Sequence, residues 1–185
     1  MDGTGTLMMP DTPDTNKETI AALIGRLDDP AIDNRHNAVL ALAGIGPAAV
    51  QPLIRSLAEA TEDERRWYRS VALAKVGTPI ITPLIAAMKE NPDREFRRYS
   101  AAALGELGEA AVEPLIGAMA CEDRELRGYL SKALCRIGKP AVEPLTRHLS
   151  DADEILRSCA TLTLWQMGET GLAPMLEKIH DDKKA

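Results

Sequence analysis

The residue types that most often carry catalysis are sparse in this 185-residue sequence. They are the three histidines and the three cysteines, namely His36, His148, His180, Cys121, Cys135 and Cys159. No cysteine forms a C-x-x-C pair or a finger-like spacing with a histidine, so neither a metal centre nor a redox pair is indicated. No G-x-S-x-G, H-E-x-x-H, P-loop or G-x-G-x-x-G motif occurs. We therefore predict a protein without catalytic residues, metal or cofactor, whose cysteines are small buried side chains in a reducing compartment.

Two segments combine arginine with aromatic side chains, a mixture that is typical of protein-binding hot spots and of sites that stack nucleic-acid bases. They read DERRWYRS at 63–70 and DREFRRYS at 93–100. Their candidate binding residues, here named the arginine–aromatic ridge, are Arg66, Trp67, Tyr68, Arg69, Arg97, Arg98 and Tyr99. Residues 61–100 hold eight basic and six acidic side chains, and this small surplus favours a protein over a nucleic acid as the partner. A structural alternative is that the tyrosines pack between helices while the arginines pair with nearby acids.

The elements that position these residues follow from an internal repeat. Five glycines, which are 31, 31, 30 and 30 residues apart, each precede a proline by six positions and follow a leucine by four. They are Gly46, Gly77, Gly108, Gly138 and Gly168. Apolar residues recur at helical spacing on both sides, which predicts a first helix that the glycine ends as a left-handed cap and a second helix that starts near the proline. An unpaired helix over 20–27 precedes the first repeat, so we predict about eleven helices.

This pattern, with an arginine eleven positions before each glycine and a closing A-L-x-x-I/V/L-G, resembles the PBS-lyase HEAT-like repeat family. The resemblance covers roughly residues 18–180 and implies an all-α superhelix, a HEAT-like solenoid of five repeats. It also implies a scaffold whose concave face, formed by the second helices, holds a partner protein. Iron-binding hydroxylases with this repeat carry His-Glu pairs, but the matching place in the first repeat reads His36-Asn37, so that activity is not expected. Nucleic-acid binding through the ridge and an accessory role in a bilin-lyase-like enzyme remain alternatives.

The arginines eleven positions before the glycines form a ladder, which consists of Arg35, Arg66, Arg97, Arg127 and Arg157. Acidic residues recur two or three positions earlier, for example Asp33 and Glu95. An acid at a helix start beside an arginine in the first turn predicts ion pairs between repeats, each worth about 0–1 kcal/mol when exposed. Anion binding by the ladder is the alternative.

The solvent side of the second helices provides another candidate binding surface, here named the trough. Small residues at its centre leave room for a partner helix or an extended peptide, and the carboxylates around it favour a basic segment. Its members are Arg55, Ala86, Glu113, Gly117, Glu143 and Arg147. We expect this concave trough, rather than the ridge, to be the partner-binding face.

Composition and charge limit the remaining choices. Apolar residues make up 45% and aromatic residues only 3%, which is typical of a helical core, and the net charge of −6 argues against general phosphate binding. Residues 1–15 are rich in Gly, Thr, Pro and Asp and predict a disordered arm, 16–180 predict the solenoid, and 181–185 predict a charged tail. Neither a secretion signal nor a membrane-spanning stretch is expected. We therefore predict a cytoplasmic protein, a monomer or weak oligomer, whose partner is a protein or peptide.

Overall fold

The computed structural model describes residues 15–182, which form eleven α-helices and no strand. The helices are α1 Thr15–Arg26, α2 Ile32–Ile45, α3 Val50–Glu59, α4 Asp63–Val76, α5 Ile81–Glu90, α6 Arg94–Gly105, α7 Val112–Ala118, α8 Arg124–Ile137, α9 Val142–Arg147, α10 Glu154–Gln166 and α11 Glu169–Asp182. The predicted all-α solenoid is confirmed. The predicted N-terminal arm lies outside the described residues apart from Thr15, which begins α1, and residues 183–185 of the predicted tail also lie outside them.

Three of the five repeat glycines take a conformation that differs from the expected left-handed cap. Gly46, Gly77 and Gly138 have φ of 73°, 89° and 74°, but their ψ angles are −135°, −150° and −132°. Positive φ with strongly negative ψ is a region that glycine alone enters at low cost. The chain therefore turns sharply after each of these first helices and runs through a short 3-10 turn, such as Lys139–Ala141, into the second helix.

The core is built from the same side chain in every repeat. The leucines four positions before the glycines are fully buried, and they are Leu42, Leu73, Leu104, Leu134 and Leu164. Burying a leucine contributes about 1.5–3 kcal/mol, so this column alone is a large part of what holds the stack together. Each first helix (α2, α4, α6, α8, α10) contacts the first helices next to it, and each second helix contacts the first helix that follows it. The core is thus continuous from one repeat to the next.

The two layers of the solenoid differ in how far their helices contact one another. Successive first helices contact one another over more residues than successive second helices do, in part because α7 and α9 are shorter than every first helix. Ala72, Ala103 and Ala133 are buried on the first helices, whereas the buried side chains of α3 and α5 are Leu, Ile, Val and Met. The prediction that the second helices line the concave face stays a prediction.

One apolar segment departs from the expectation that no stretch could span a membrane. Within the described residues, Ile32–Glu59 is long and apolar enough by length and composition alone. In this fold the segment comprises α2 and α3 with the turn at Gly46–Ala49 between them. Its apolar side chains include Leu42, Leu53 and Leu57, which are buried in the core of the solenoid.

Candidate functional site

The arginine ladder is held by main-chain carbonyls. Every ladder arginine donates a hydrogen bond to a carbonyl oxygen at the end of the preceding helix or in the loop after it. The acceptors are the carbonyls of Asp29 for Arg35, Thr61 for Arg66, Met88 and Asn91 for Arg97, Cys121 for Arg127, and Asp151 for Arg157. The last carbonyls of a helix have no partner within it, so an arginine from the next helix can satisfy them. The ladder thus fixes the connection between repeats.

The predicted ion pairs accompany only part of this ladder. Arg35 lies 3.2 Å from Glu64 of the next repeat, and the Arg97 Nη2 lies 2.7 Å from the Asp123 Oδ2. Asp123 also caps α8, since its side chain accepts a hydrogen bond from the backbone N–H of Leu126. These hydrogen bonds hold the pKa of Asp123 below its ordinary value. The carbonyls, rather than the carboxylates, are therefore the constant partners of the ladder.

The arginine–aromatic ridge does not form one surface. Arg97 is 1% exposed, Arg69 is 6% exposed and Tyr68 is 8% exposed, so none of them can be a major contact for a partner. The Arg69 guanidinium donates to both carboxylate oxygens of Asp28, at 2.8 and 2.9 Å, and its Nε donates to the Ser56 hydroxyl. It thereby ties the end of α1 to α4. This part of the ridge prediction is wrong, because these side chains point into the packing between helices.

Trp67, Arg98 and Tyr99 of the ridge reach the surface, where they belong to a more apolar patch, whereas Arg66 turns back to the Thr61 carbonyl. Trp67 is 52% exposed, Arg98 is exposed, and Tyr99 is half-buried. Six large hydrophobic side chains are exposed among the described residues, and five of them lie on first helices. These five are Ile32, Leu40, Trp67, Leu162 and Trp165. The first helices therefore carry nearly all of the large exposed apolar side chains of the described residues.

A groove runs across this surface between α4, α6 and α8, and we name it the aromatic groove. It has a volume of about 390 Å³, and Trp67, Val71, Tyr99 and Ala102 supply its apolar lining. A smaller recess continues it along α6 and α8, where it includes Tyr129. The small Ala102 leaves the space that makes the groove. Partial burial raises the pKa of the Tyr99 phenol, which therefore stays neutral at physiological pH.

Basic side chains border the aromatic groove and its continuation. They are Lys75, Arg98, Lys132 and Arg136, while Glu106 is the one acid in the two linings. Arg98 lies 4.5 Å from the centre of the Tyr99 ring and pairs with Glu95 and Asp63, and the Lys132 ammonium lies 5.0 Å from the Tyr129 ring. Arg136 pairs with Glu106. Lys75 and Lys132 are exposed and have no carboxylate partner among the described residues.

Sequence reasoning missed the residues six positions before the glycines. This column consists of Leu40, Val71, Ala102, Lys132 and Leu162. A signal was present, because a residue two positions before the buried leucine lies about 200° away around the helix and so faces outward. Apolar residues at three outward positions of five would have indicated a binding surface.

The trough residues lie on the second helices, and all six are exposed. Arg147 is 2.8 Å from Glu113 and 3.1 Å from Glu143, so the charges of the trough largely pair with one another. An open groove of about 600 Å³ continues beside them between α9 and α11, where Val142 and Pro174 supply apolar surface.

The potential catalytic and metal-binding residues remain dispersed. His148 is hydrogen-bonded to Asp151 at 2.8 Å, and this contact lowers the pKa of the Asp151 carboxyl. No group of three His, Cys, Asp or Glu side chains that could hold a metal ion occurs in the part of the chain that the structure describes. Cys159 is buried as expected, but Cys121 and Cys135 are only half-buried. Burial raises the pKa of the Cys135 and Cys159 thiols, which keeps them protonated and unreactive.

Comparison with known families agrees with this architecture. A model described as HEAT repeats matches residues 112–185, and a model described as PBS lyase HEAT-like repeat matches residues 35–59 and 96–121. The chain is a HEAT-like repeat protein, which confirms the resemblance drawn from its glycine and arginine spacing. No curated protein matches the sequence.

Three solved structures show distant similarity. An engineered protein is 18% identical, with 86% of this chain and 85% of that chain covered at a TM-score of 0.34. A designed armadillo repeat protein in complex with the peptide (KR)4 is 18% identical, with coverage of 86% and 90% and a TM-score of 0.31. A de novo designed 16-helix transmembrane nanopore is 16% identical, with coverage of 89% of this chain and 54% of that chain at a TM-score of 0.24.

Proposed function

We propose that this protein is a non-enzymatic scaffold that binds a partner protein or peptide on its first-helix face, with the aromatic groove at the centre of the contact. The observation that carries the proposal is the concentration of exposed Leu, Ile and Trp side chains on the first helices. Apolar surface that is left in water costs about 25 cal/mol per Å², and a partner that covers it recovers this free energy. Trp and Tyr are also the residues on which binding energy tends to concentrate.

The hydrogen bonds that hold the first helices in place support the same partner-binding function. The ladder arginines tie each first helix to the loop before it, as Arg97 does through the carbonyls of Met88 and Asn91 at 2.9 Å. Arg69 ties α4 to Asp28 at the end of α1. A surface that is held in place loses little conformational entropy when a partner docks, so more of the contact energy appears as affinity.

The alternatives have weaker support. Nucleic-acid binding through the ridge would need free cations, but Arg69 and Arg97 are buried against carboxylates and Arg98 is paired with Glu95. The trough carries no large exposed apolar side chain among its six members. It remains the second candidate for partner binding. No contact described above favours a bilin-lyase accessory role.

The experiment compares two surface variants in affinity capture followed by mass spectrometry and by measurement of affinity with the purified partner. The first variant is Trp67→Ala, and the second is Ala86→Glu combined with Gly117→Glu. Because all three positions are exposed, both variants should fold. Leu176→Ala, which removes a side chain that is 61% exposed on α11, is the control for loss of exposed apolar surface elsewhere.

We expect the trough variant and Leu176→Ala to bind the partner as wild type does. A central tryptophan typically contributes 2 kcal/mol or more to binding, which corresponds to roughly thirtyfold in affinity. Trp67→Ala should therefore bind the partner at least tenfold more weakly. Normal binding by Trp67→Ala together with loss in the trough variant would transfer the function to the second helices. A salt-dependent complex of the pure protein with DNA or RNA would favour the nucleic-acid alternative.

A further inference from the structure

We infer that the segment that docks in the aromatic groove is acidic, namely an amphipathic peptide segment that packs apolar side chains against Trp67 and Tyr99 and presents carboxylates to Lys75 and Lys132. This inference rests on the proposed function, because it assumes that the groove binds a protein. It adds the chemical class of the partner, which is the opposite of the basic segment expected for the trough.

Charge complementarity carries the inference. The linings of the groove and its continuation hold four basic side chains against one acid, on a protein whose net charge is −6. Arg98 and Arg136 are already paired with Asp63, Glu95 and Glu106, so Lys75 and Lys132 are the cations left for a partner among the described residues of these linings. Lys75 lies on α4 and Lys132 on α8, so the two lysines without carboxylate partners flank the groove from both sides. Cations beside an apolar lining attract carboxylates, and their attraction is strengthened where a docked chain excludes water.

The apolar floor limits what can carry those carboxylates. Val71 and Ala102 line the groove one turn after Trp67 and Tyr99 on the same two helices, so the floor accepts a leucine, phenylalanine or similar side chain. A free carboxylate or a phosphate alone would leave this floor uncovered. The occupant is therefore a chain with apolar side chains on one face and acids on the other, as in an amphipathic helix that lies in a groove.

A nucleic-acid strand fits this face less well. The amino-terminal ends of the same helices carry exposed acids, with Asp63 and Glu64 on α4 and Glu125 on α8. A phosphate backbone that runs along the stack would pass these carboxylates, whereas a short peptide can place its acids beside the lysines alone. A second copy of this chain would also have to present an acidic apolar segment, and it is treated below as an outcome.

The test is selection of binders from an unbiased display library of random 16-residue peptides. The targets are the wild type, Trp67→Ala, and a double variant with Lys75→Glu and Lys132→Glu. A matched double variant with Lys89→Glu and Lys139→Glu changes the same charge at exposed positions outside the groove linings. Affinities of enriched peptides are then read from the fluorescence of Trp67 in a Trp165→Phe background, at low and at high salt.

We expect the peptides enriched on the wild type to be net acidic and to contain aromatic or aliphatic residues. They should bind about tenfold more weakly to the groove charge variant and at high salt, and normally to the matched charge variant. Enrichment of basic or neutral peptides that need Trp67 would overturn the inference and leave the proposed function intact. No enrichment beyond that seen with Trp67→Ala would overturn both.

Two further measurements test whether a nucleic acid or a second copy of this chain occupies the groove instead. In the first, a single-stranded oligothymidine and the unlabelled peptide compete separately for the groove against the bound enriched peptide. If the oligothymidine displaces the bound peptide at a lower concentration than the unlabelled peptide does, the groove is assigned to nucleic acid instead. Sedimentation equilibrium of the wild type alone tests self-association. A dimer that Trp67→Ala dissociates would show that a second copy of this chain occupies the groove, and the inference of a separate acidic partner would then fall.

Discussion

Replacement of Arg97 by methionine tests whether the ladder is a structural device. Arg97 is 1% exposed, and its Nε donates to the carbonyls of Met88 and Asn91 while its Nη2 donates to Asp123. Methionine keeps most of the volume and the apolar stem but cannot donate. The change therefore isolates the hydrogen bonds from the packing.

The expected loss in the free energy of unfolding follows from the groups that lose Arg97 as a hydrogen-bond donor. Two carbonyl oxygens at the end of α5 lose their charged donor, and a hydrogen bond to a charged group contributes about 1.5–3 kcal/mol. The Asp123 side chain is 41% exposed, so water can replace the arginine there and this part of the loss is small. We expect Arg97→Met to lower the free energy of unfolding by about 2–4 kcal/mol. For a chain of this length, that corresponds to a fall in Tm of roughly 5–15 °C.

The assay is urea and thermal unfolding followed by far-UV circular dichroism and by tryptophan fluorescence. The matched control is Arg94→Met, which lies one turn earlier on α6 and removes an arginine whose side chain is 78% exposed and pairs only with Glu125. An exposed ion pair adds little to stability, so this control should unfold as wild type does. A loss for Arg97→Met below about 1 kcal/mol, or equal to that of the control, would refute the structural reading of the ladder.

Three further predictions concern stability. Gly171→Ala should destabilise by about 1–3 kcal/mol, as overpacking does, because an added Cβ would lie 2.2 Å from the Leu164 carbonyl oxygen; urea unfolding measures it. The hydrogen bonds from Arg69 hold the pKa of Asp28 below its ordinary value of 3.8. They therefore stabilise the folded state fully above pH 3.8, and this stabilisation is lost as the pH falls through the lower pKa that Asp28 has in the folded protein. Asp28→Asn should therefore be less stable than wild type at neutral pH, and the difference in unfolding free energy should narrow below about pH 4. Ser100→Ala should be neutral or stabilising in the same assay, because the buried Ser100 hydroxyl has no hydrogen-bond partner among the residues that the structure describes.

Each of these predictions has an internal comparison. Gly128→Ala, where nothing lies within 4 Å of the added Cβ, should stabilise slightly through helix propensity, so equal losses at the two glycines would contradict the clash. Ser70→Ala removes a hydroxyl that donates to the Tyr99 carbonyl at 2.8 Å and should cost about 1 kcal/mol, in contrast to Ser100→Ala. If the difference in unfolding free energy between wild type and Asp28→Asn stays unchanged down to about pH 2, the proposed titration of the Asp28 carboxyl is excluded.

Much of the architecture could be predicted from spacing alone. The five glycines and the leucines before them predicted eleven helices and a continuous core, because helical period and the burial of apolar stripes are local rules that repeat along the chain. The family resemblance followed from the same columns. The left-handed cap at Gly46, Gly77 and Gly138 was the exception, since glycine permits the positive φ while ψ depends on where the next turn must go.

The candidate site was predicted less well. Arg66 and Arg97 occur in the same segments as Trp67 and Arg98, yet the first two turn back toward the loops and the second two face outward. Composition cannot separate them, because both sets combine cations with aromatic neighbours. Their separation depends on the direction in which each side chain leaves its helix and on which carbonyls lie within reach.

The sequence by itself determined the repeat, the helices and the buried columns, because each depends on residues within one or two turns of one another. Only the tertiary structure decided which arginines and aromatic side chains of the first helices are buried and which are exposed, since that depends on how neighbouring helices pack. It likewise decided that Lys75 and Lys132, 57 positions apart in the sequence, border one groove. Such a surface is assembled across repeats, and no local pattern encodes the distance between them.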